Sequence, residues 1–179
     1  MTTPEAVLRG KFPMIRSTSP ERTHGVGGRL AASLYPGLLV LLHGDLGAGK
    51  TCLARAVGEA LGLPGVKSPT FALEHIYRPP CVAFSLVHAD LYRLEDASDF
   101  SAQLEEHLED GAAVLVEWGE RWRDPPVRDR WDVRISCGAD ADERRIELAA
   151  YGERALEALA AAYAGLLDDI AQEVGGGAC

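Results

Sequence analysis

Apolar residues fall in two kinds of pattern along this chain. Leu38-Leu-Val-Leu-Leu42 is an unbroken apolar run of strand length, and it predicts a strand buried on both faces. Cys81-Val-Ala-Phe-Ser-Leu-Val-His88 and Ala112-Ala-Val-Leu-Val-Glu117-Trp118 predict two more. Between these runs the period lengthens to that of a helix. Ser19 is a suitable N-cap, Pro20 suits the first helical position, and Glu21 favours the dipole. That helix is expected to run to about Leu34, with Val26, Leu30 and Leu34 on one face, until Tyr35-Pro-Gly37 breaks it. A second helix is predicted over Thr51–Leu61, with Leu53, Val57, Ala60 and Leu61 inward and Gly62 as its stop. Phe12–Arg16 and Ala72–Tyr77 read as short strands, with a Pro79-Pro80 turn after the latter. Trp131–Ser136 and Arg144–Ala150 alternate strictly and predict a hairpin around Asp140. A last helix over about Glu153–Val174 is expected to pack through Leu156, Leu159, Tyr163 and Leu166.

Strands alternating with helices give an α/β fold, with a mixed central sheet flanked by helices and a C-terminal β-hairpin and helix. The 179 residues suit one domain that buries about 70% of its unfolded surface. The expected organisation is a flexible tail over 1–11, one domain over 12–174 and a flexible tail over 175–179. No apolar run approaches the ~20 residues of a membrane span, and the N-terminus has no signal-peptide core. Cys52, Cys81, Cys137 and Cys179 lie far apart without metal-ligand spacing. No disulfide and no zinc site are therefore expected, and the reducing cytoplasm is the expected compartment.

The chemistry concentrates where the first buried strand ends. Gly44-Asp-Leu-Gly-Ala-Gly-Lys-Thr51 is the G-x-x-x-x-G-K-[ST] pattern, with a buried strand before it and a helix after it. Its glycines let backbone N–H groups curl around phosphates at a helix N-terminus. Lys50 offers a charge to the β/γ-phosphates, and Thr51 offers a hydroxyl to Mg²⁺. A phosphate loop needs a metal-organising carboxylate at the end of a neighbouring strand, and Asp90 and Glu117 both stand there. One would hold the metal and the other orient or deprotonate the attacking water; spacing alone leaves the two roles open. Thr70, behind Pro69, lies in a loop that returns towards the phosphates and is a candidate γ-phosphate sensor.

Charge is unevenly spread. The net charge is −9, but residues 1–80 carry nine Lys/Arg against five Asp/Glu, and residues 81–179 carry nine against twenty-two. Such a chain is poorly suited to gripping nucleic acid by phosphate neutralisation alone. Glu95, Asp96, Asp99, Glu105, Glu106, Glu109 and Asp110 form an acidic segment that reads as a solvated helix face or as a docking surface for a basic partner.

Four motifs together, Gly44–Thr51, Ser68-Pro-Thr-Phe71, His88-Ala-Asp-Leu-Tyr-Arg93 and Val116-Glu-Trp118, resemble the TsaE family in order and spacing. Ser19-Pro-Glu-Arg-Thr23 and Asp142-Glu-Arg-Arg-Ile146 also look like family segments, so the resemblance covers about residues 12–152. It implies a bacterial P-loop ATPase that serves the threonylcarbamoyl modification of adenosine 37 in tRNA. The family's ATPase associates with a TsaB–TsaD pair, in which TsaD transfers the group and ATP hydrolysis resets the complex. The partners implied are TsaD-like and TsaB-like proteins, with tRNA reached through them. Carried over, Gly44, Asp45, Leu46, Gly47, Ala48, Gly49 and Lys50 hold the phosphates of ATP or ADP, and Thr51 and Glu117 ligate Mg²⁺. Asp90 lies next to the reacting phosphate, Thr70 near the γ-phosphate, and Trp118 and Arg144 on the nucleotide side. Cys52 departs from the hydroxyl residues common at that position. Two rival readings use the same loop: a small-molecule kinase with an arginine-bearing lid over Arg121–Arg130, and a nucleotide-binding module without hydrolysis.

Overall fold

A computed structural model describes residues 9–69 and 72–175. The elements in chain order are β1 (Arg9–Lys11), β2 (Ile15–Ser17), α1 (Pro20–Ala31), β3 (Leu39–His43), α2 (Lys50–Ala60), β4 (Glu74–Tyr77) and β5 (Leu86–Asp90). There follow α3 (Ser98–Glu109), β6 (Ala113–Glu117), a one-turn 3-10 helix (Gly119–Arg121), β7 (Arg130–Cys137), β8 (Arg144–Tyr151) and α4 (Glu153–Gly175). The strands form one mixed sheet in the order β1-β8-β7-β3-β6-β5-β4, with β2 also pairing with β8. β3 is parallel to both β6 and β7, and β5 is parallel to β6. β4 is antiparallel to β5, and β7 and β8 pair with each other as an antiparallel hairpin.

Strand alternation divides the core in two. Val40 and Leu42 of β3 face a layer of α1, α2 and α4 through Val26, Leu30, Leu53, Val57, Leu159 and Leu166. Leu39 and Leu41 face α3 through Phe100, Leu104 and Leu108. Both faces of β3 are covered, which is why its five residues are all buried and the run shows no alternation. Ser19 caps α1 by accepting from the backbone N–H of Arg22 at 3.3 Å, with Pro20 opening the helix. In the hairpin, Trp131, Val133 and Ile135 point inward. The Trp131 indole Nε1 donates to the Ala155 carbonyl at 2.8 Å and docks the hairpin on the first turn of α4.

Four expectations change. The second apolar run becomes a strand only from Leu86, because Cys81 is exposed and residues 81–85 are irregular after the two prolines. The strand accordingly ends at Asp90 and not at His88. Arg9–Lys11, assigned to a tail, pairs with β8 through Ala149–Tyr151. Gly175, assigned to the other tail, closes α4. Ala60 is exposed, and the inward face of α2 is made by Leu53, Ala54, Ala56 and Val57.

The acidic segment resolves into α3 and its approach. Its apolar stripe is buried, while Glu95, Asp96, Glu106, Glu109 and Asp110 are exposed. Cys52, Cys81 and Cys137 are free thiols at the surface. Among the described residues no helix is long and apolar enough to cross a membrane.

Trp131→Ala is expected to destabilise the fold by about 3–5 kcal/mol, since it empties a fully buried site and removes the bond to α4. Urea unfolding measures this. A loss below about 1 kcal/mol would show that the hairpin docks by other contacts.

Candidate functional site

The site forms where β3, β5 and β6 end. These strands are parallel, so their carboxyl ends lie along one edge of the sheet, beside the start of α2. Gly44, Gly47 and Gly49 all have positive φ, at 141°, 79° and 113°. A Cβ at Gly44 would run into the Ile135 carbonyl, so only glycine lets the loop leave β3 this close to β7. Asp45, Leu46 and Gly47 are exposed at the loop tip, and Ala48 is buried beneath them. The Ala48 carbonyl accepts a bond from Arg144 Nε at 2.9 Å, while Arg144 Nη1 reaches the Ala141 and Glu143 carbonyls at 2.7 and 2.8 Å. Arg144 thus braces the loop from the hairpin side.

Lys50 and Thr51 open α2. Lys50 is buried, and its Nζ donates to the carbonyls of Gly44 at 2.5 Å and Asp45 at 2.9 Å. It also lies 3.8 Å from the centre of the Trp118 ring. Trp118 reaches that position from a left-handed backbone, φ 60°, which costs roughly 1–2 kcal/mol for a non-glycine residue. The indole also meets Tyr92, with 4.9 Å between ring centres. Burial lowers the Lys50 pKa below its ordinary value, and the carboxylates of Glu120, Glu117, Asp90 and Asp45 act in the opposite direction.

The two candidate acids occupy adjacent register positions, Asp90 on β5 beside Glu117 on β6. Glu117 is almost fully buried, and its oxygens are divided between two partners. Oε2 accepts from the Thr51 hydroxyl at 2.7 Å, and Oε1 meets His88 Nε2 at 2.9 Å. Asp90 is half-buried. Its Oδ2 accepts from the Ser68 hydroxyl at 2.5 Å and its Oδ1 from the Tyr92 backbone N–H at 3.0 Å. Thr70 lies outside the described residues; Ser68 ties the segment leading to it to Asp90. Thr51 and Glu117 present two hard oxygens at the head of α2, a pair whose chemistry fits a magnesium ion.

The fold brings the candidate residues Gly44–Thr51, Asp90, Glu117, Trp118 and Arg144 to one end of the sheet. The sequence gives His88, Ser68 and Tyr92 no role of their own. Parity could have found His88. It stands two residues before Asp90 on the same strand, so both project from the face to which Glu117 also belongs. The Arg121–Arg130 stretch is not a free lid at its start. Trp122 is buried against the α3 core, and Arg121 Nη1 donates to the Leu94 carbonyl at 2.9 Å.

A buried strand, a glycine loop and a helix opened by Lys and Thr, set at the carboxyl ends of parallel strands, define a P-loop NTPase-like domain. The family model described as Threonylcarbamoyl adenosine biosynthesis protein TsaE matches residues 17–146, and the chain belongs to the TsaE family. A relative from Streptomyces coelicolor, named tRNA threonylcarbamoyladenosine biosynthesis protein TsaE, is 40% identical over 134 residues, covering 72% of this chain and 90% of its own. The Bacillus subtilis protein of the same name is 36% identical over 140 residues, covering 78% and 86%. The crystal structure of Bacillus subtilis YdiB superposes with a TM-score of 0.71 at 28% identity, covering 90% of this chain and 98% of that one.

Gly44→Ala places a methyl group against the Ile135 carbonyl in a backbone region that alanine avoids. Calorimetric titration with ADP is expected to show at least a tenfold loss of affinity, worth about 1.4 kcal/mol or more. Wild-type affinity in this variant would mean that the loop tolerates a different path.

Proposed function

We propose that this chain binds ATP with Mg²⁺ on the Gly44–Thr51 loop and hydrolyses it, as the ATPase component of the tRNA threonylcarbamoyladenosine machinery. The observation that carries this reading is the convergence on one loop of a hydroxyl–carboxylate pair, Thr51 with Glu117 at 2.7 Å, and a second, more accessible acid, Asp90, one strand away. The first pair suits a metal and the second acid suits a water. Backbone N–H groups of the loop and the N-terminus of α2 hold the phosphates, with Lys50 as the cation among them. Lys50 already bridges two loop carbonyls and can turn its ammonium to a phosphate oxygen with little movement of the helix. The bound metal ion supplies charge neutralisation on the polyphosphate. Asp90, held by Ser68 and by the Tyr92 backbone, orients the attacking water or takes its proton. Thr70 is read as the residue that meets the γ-phosphate.

The partners in this reading are TsaD-like and TsaB-like proteins, with tRNA held mainly by them. The acidic C-terminal half and the exposed acids of α3 support an action on protein and not a grip on RNA. The kinase alternative is less favoured, because the arginine stretch is pinned at its start by Arg121 and Trp122.

Asp90→Asn is expected to lower ATP turnover about 10²–10⁴-fold while ADP affinity stays within about threefold of wild type. Lys50→Ala is expected to weaken ADP binding about 10–100-fold, the loss of a charge-assisted contact. Phosphate release and calorimetry separate the two. Equal turnover by wild type and Asp90→Asn would remove Asp90 from the chemistry.

A pull-down with TsaD-like and TsaB-like proteins, in ATP and in ADP, tests the partner assignment. Association that depends on the nucleotide, with tRNA modification that stalls without this chain, is expected. No association in either state would overturn it, and rapid phosphate transfer to a metabolite would favour the kinase.

A further inference from the structure

We propose that His88 is a positioning residue. Its Nε2–H holds one oxygen of Glu117, so that the other stays directed at Thr51, the residue with which Glu117 would hold the metal. The proposal rests on the reading above, in which Thr51 and Glu117 take the Mg²⁺.

Glu117 is a carboxylate with 2% of its surface exposed, and an ionised carboxylate in that setting must be paired or hydrogen-bonded. It has two acceptor oxygens and can only accept. Thr51 Oγ1 donates to Oε2 at 2.7 Å, and the group 2.9 Å from Oε1 is His88 Nε2. The proton of that second bond therefore resides on the imidazole. A carboxylate held by Oε2 alone could turn about its terminal torsion, which is broad and roughly two-fold. Held at both oxygens, it keeps one orientation relative to the start of α2.

The imidazole itself is set up for this single task. His88 is fully buried, and its other nitrogen, Nδ1, is buried without a hydrogen-bond partner among the described residues. A purely structural role at this position, on a strand flanked by Leu86, Val87 and Ala89, would be served at lower cost by an apolar side chain. An imidazole whose Nδ1 meets no partner among the described residues is explained by what its Nε2 does. The arrangement is that of a ligand oriented by a neighbour that does not touch the metal, and loss of such neighbours commonly lowers metal affinity about 10–100-fold.

Two amides separate position from mere fit. The amide nitrogen of His88→Gln reaches about as far as Nε2, whereas that of His88→Asn reaches only as far as Nδ1. Calorimetry with ADP in EDTA and in Mg²⁺ gives each protein's affinity gain from the metal. The expected result is a clear gain in wild type, retention within about threefold in His88→Gln, and a loss of about tenfold or more in His88→Asn, with affinity in EDTA unchanged throughout. A full gain in His88→Asn, or an equal loss in both variants, would overturn the role of His88. No gain in wild type would instead overturn the metal reading on which it rests, and the role with it. Nitrogen-15 NMR of the imidazole in the unaltered protein tests the same claim without a substitution. Protonated Nε2 with bare Nδ1 is expected, and the opposite tautomer would refute it.

Discussion

The buried carboxylate of Glu117 is the constraint on which the site depends. A charge at the closed end of a sheet is tolerated only with partners, and here they come from two separate elements, Thr51 at the head of α2 and His88 on β5. The bond to Thr51 fixes the rotation of the phosphate-loop helix against the sheet. The bond to His88 adds a side-chain tie to the β5–β6 ladder, whose register places Asp90, two residues on, beside Glu117. A single acidic side chain thus registers the loop, the helix and the second acid. Without it the glycine loop would still curve, and the backbone ladder alone would link its strand to the one that carries Asp90.

Topology makes such a bridge possible. The parallel pairing of β3, β5 and β6 brings three strand ends to one edge, and alternation puts His88, Asp90 and Glu117 on the face where α2 begins. The hairpin contributes from the opposite side. Ile135 sets how close the loop may pass, and Arg144 holds the Ala48 carbonyl. The two halves of the sheet meet at β3, and the loop leaves from its end. The rigidity of the loop therefore draws on hydrophobic packing across the whole width of the sheet, including the indole of Trp131 against α4.

Much of this was legible in the sequence, for reasons that differ by element. β3 and β6 are strands buried on both faces, so unbroken apolar runs marked them, and the phosphate loop has a spacing that little else imitates. The run from Cys81 misled because its apolar residues continue a strand only in composition. After Pro79-Pro80 the chain must turn before it can pair, and the ladder starts at Leu86. Arg9–Lys11 gave no periodic signal, because a three-residue edge strand is held by its partner β8 and not by its own pattern. His88 was missed for another reason. A buried histidine looks structural until the carboxylate facing it is known, and that facing depends on which strands are neighbours. Hydrogen-bond partners such as Ser68 with Asp90 are likewise products of tertiary approach.

The electrostatics of the site bear on which form of nucleotide it accepts. Lys50 is one cation, and the carboxylates of Glu120, Glu117, Asp90 and Asp45 all act on it. Those four acids oppose a bare polyphosphate, while Lys50 and the Arg144 guanidinium, which bonds the Ala48 carbonyl, favour it. The remaining attraction comes from fixed dipoles, the loop N–H groups and the N-terminus of α2, which are directional and short-ranged. A divalent cation held, on the proposed function, by Thr51 and Glu117 would shift the balance further towards the phosphates by adding positive charge at the site. On the proposed function, the acids that make hydrolysis possible are therefore also what favours nucleotide arriving as its metal complex. The same reasoning explains why Lys50 sits on Trp118 and two carbonyls: an ammonium held by uncharged partners stays beside the loop without closing an ion pair that the phosphates would have to break.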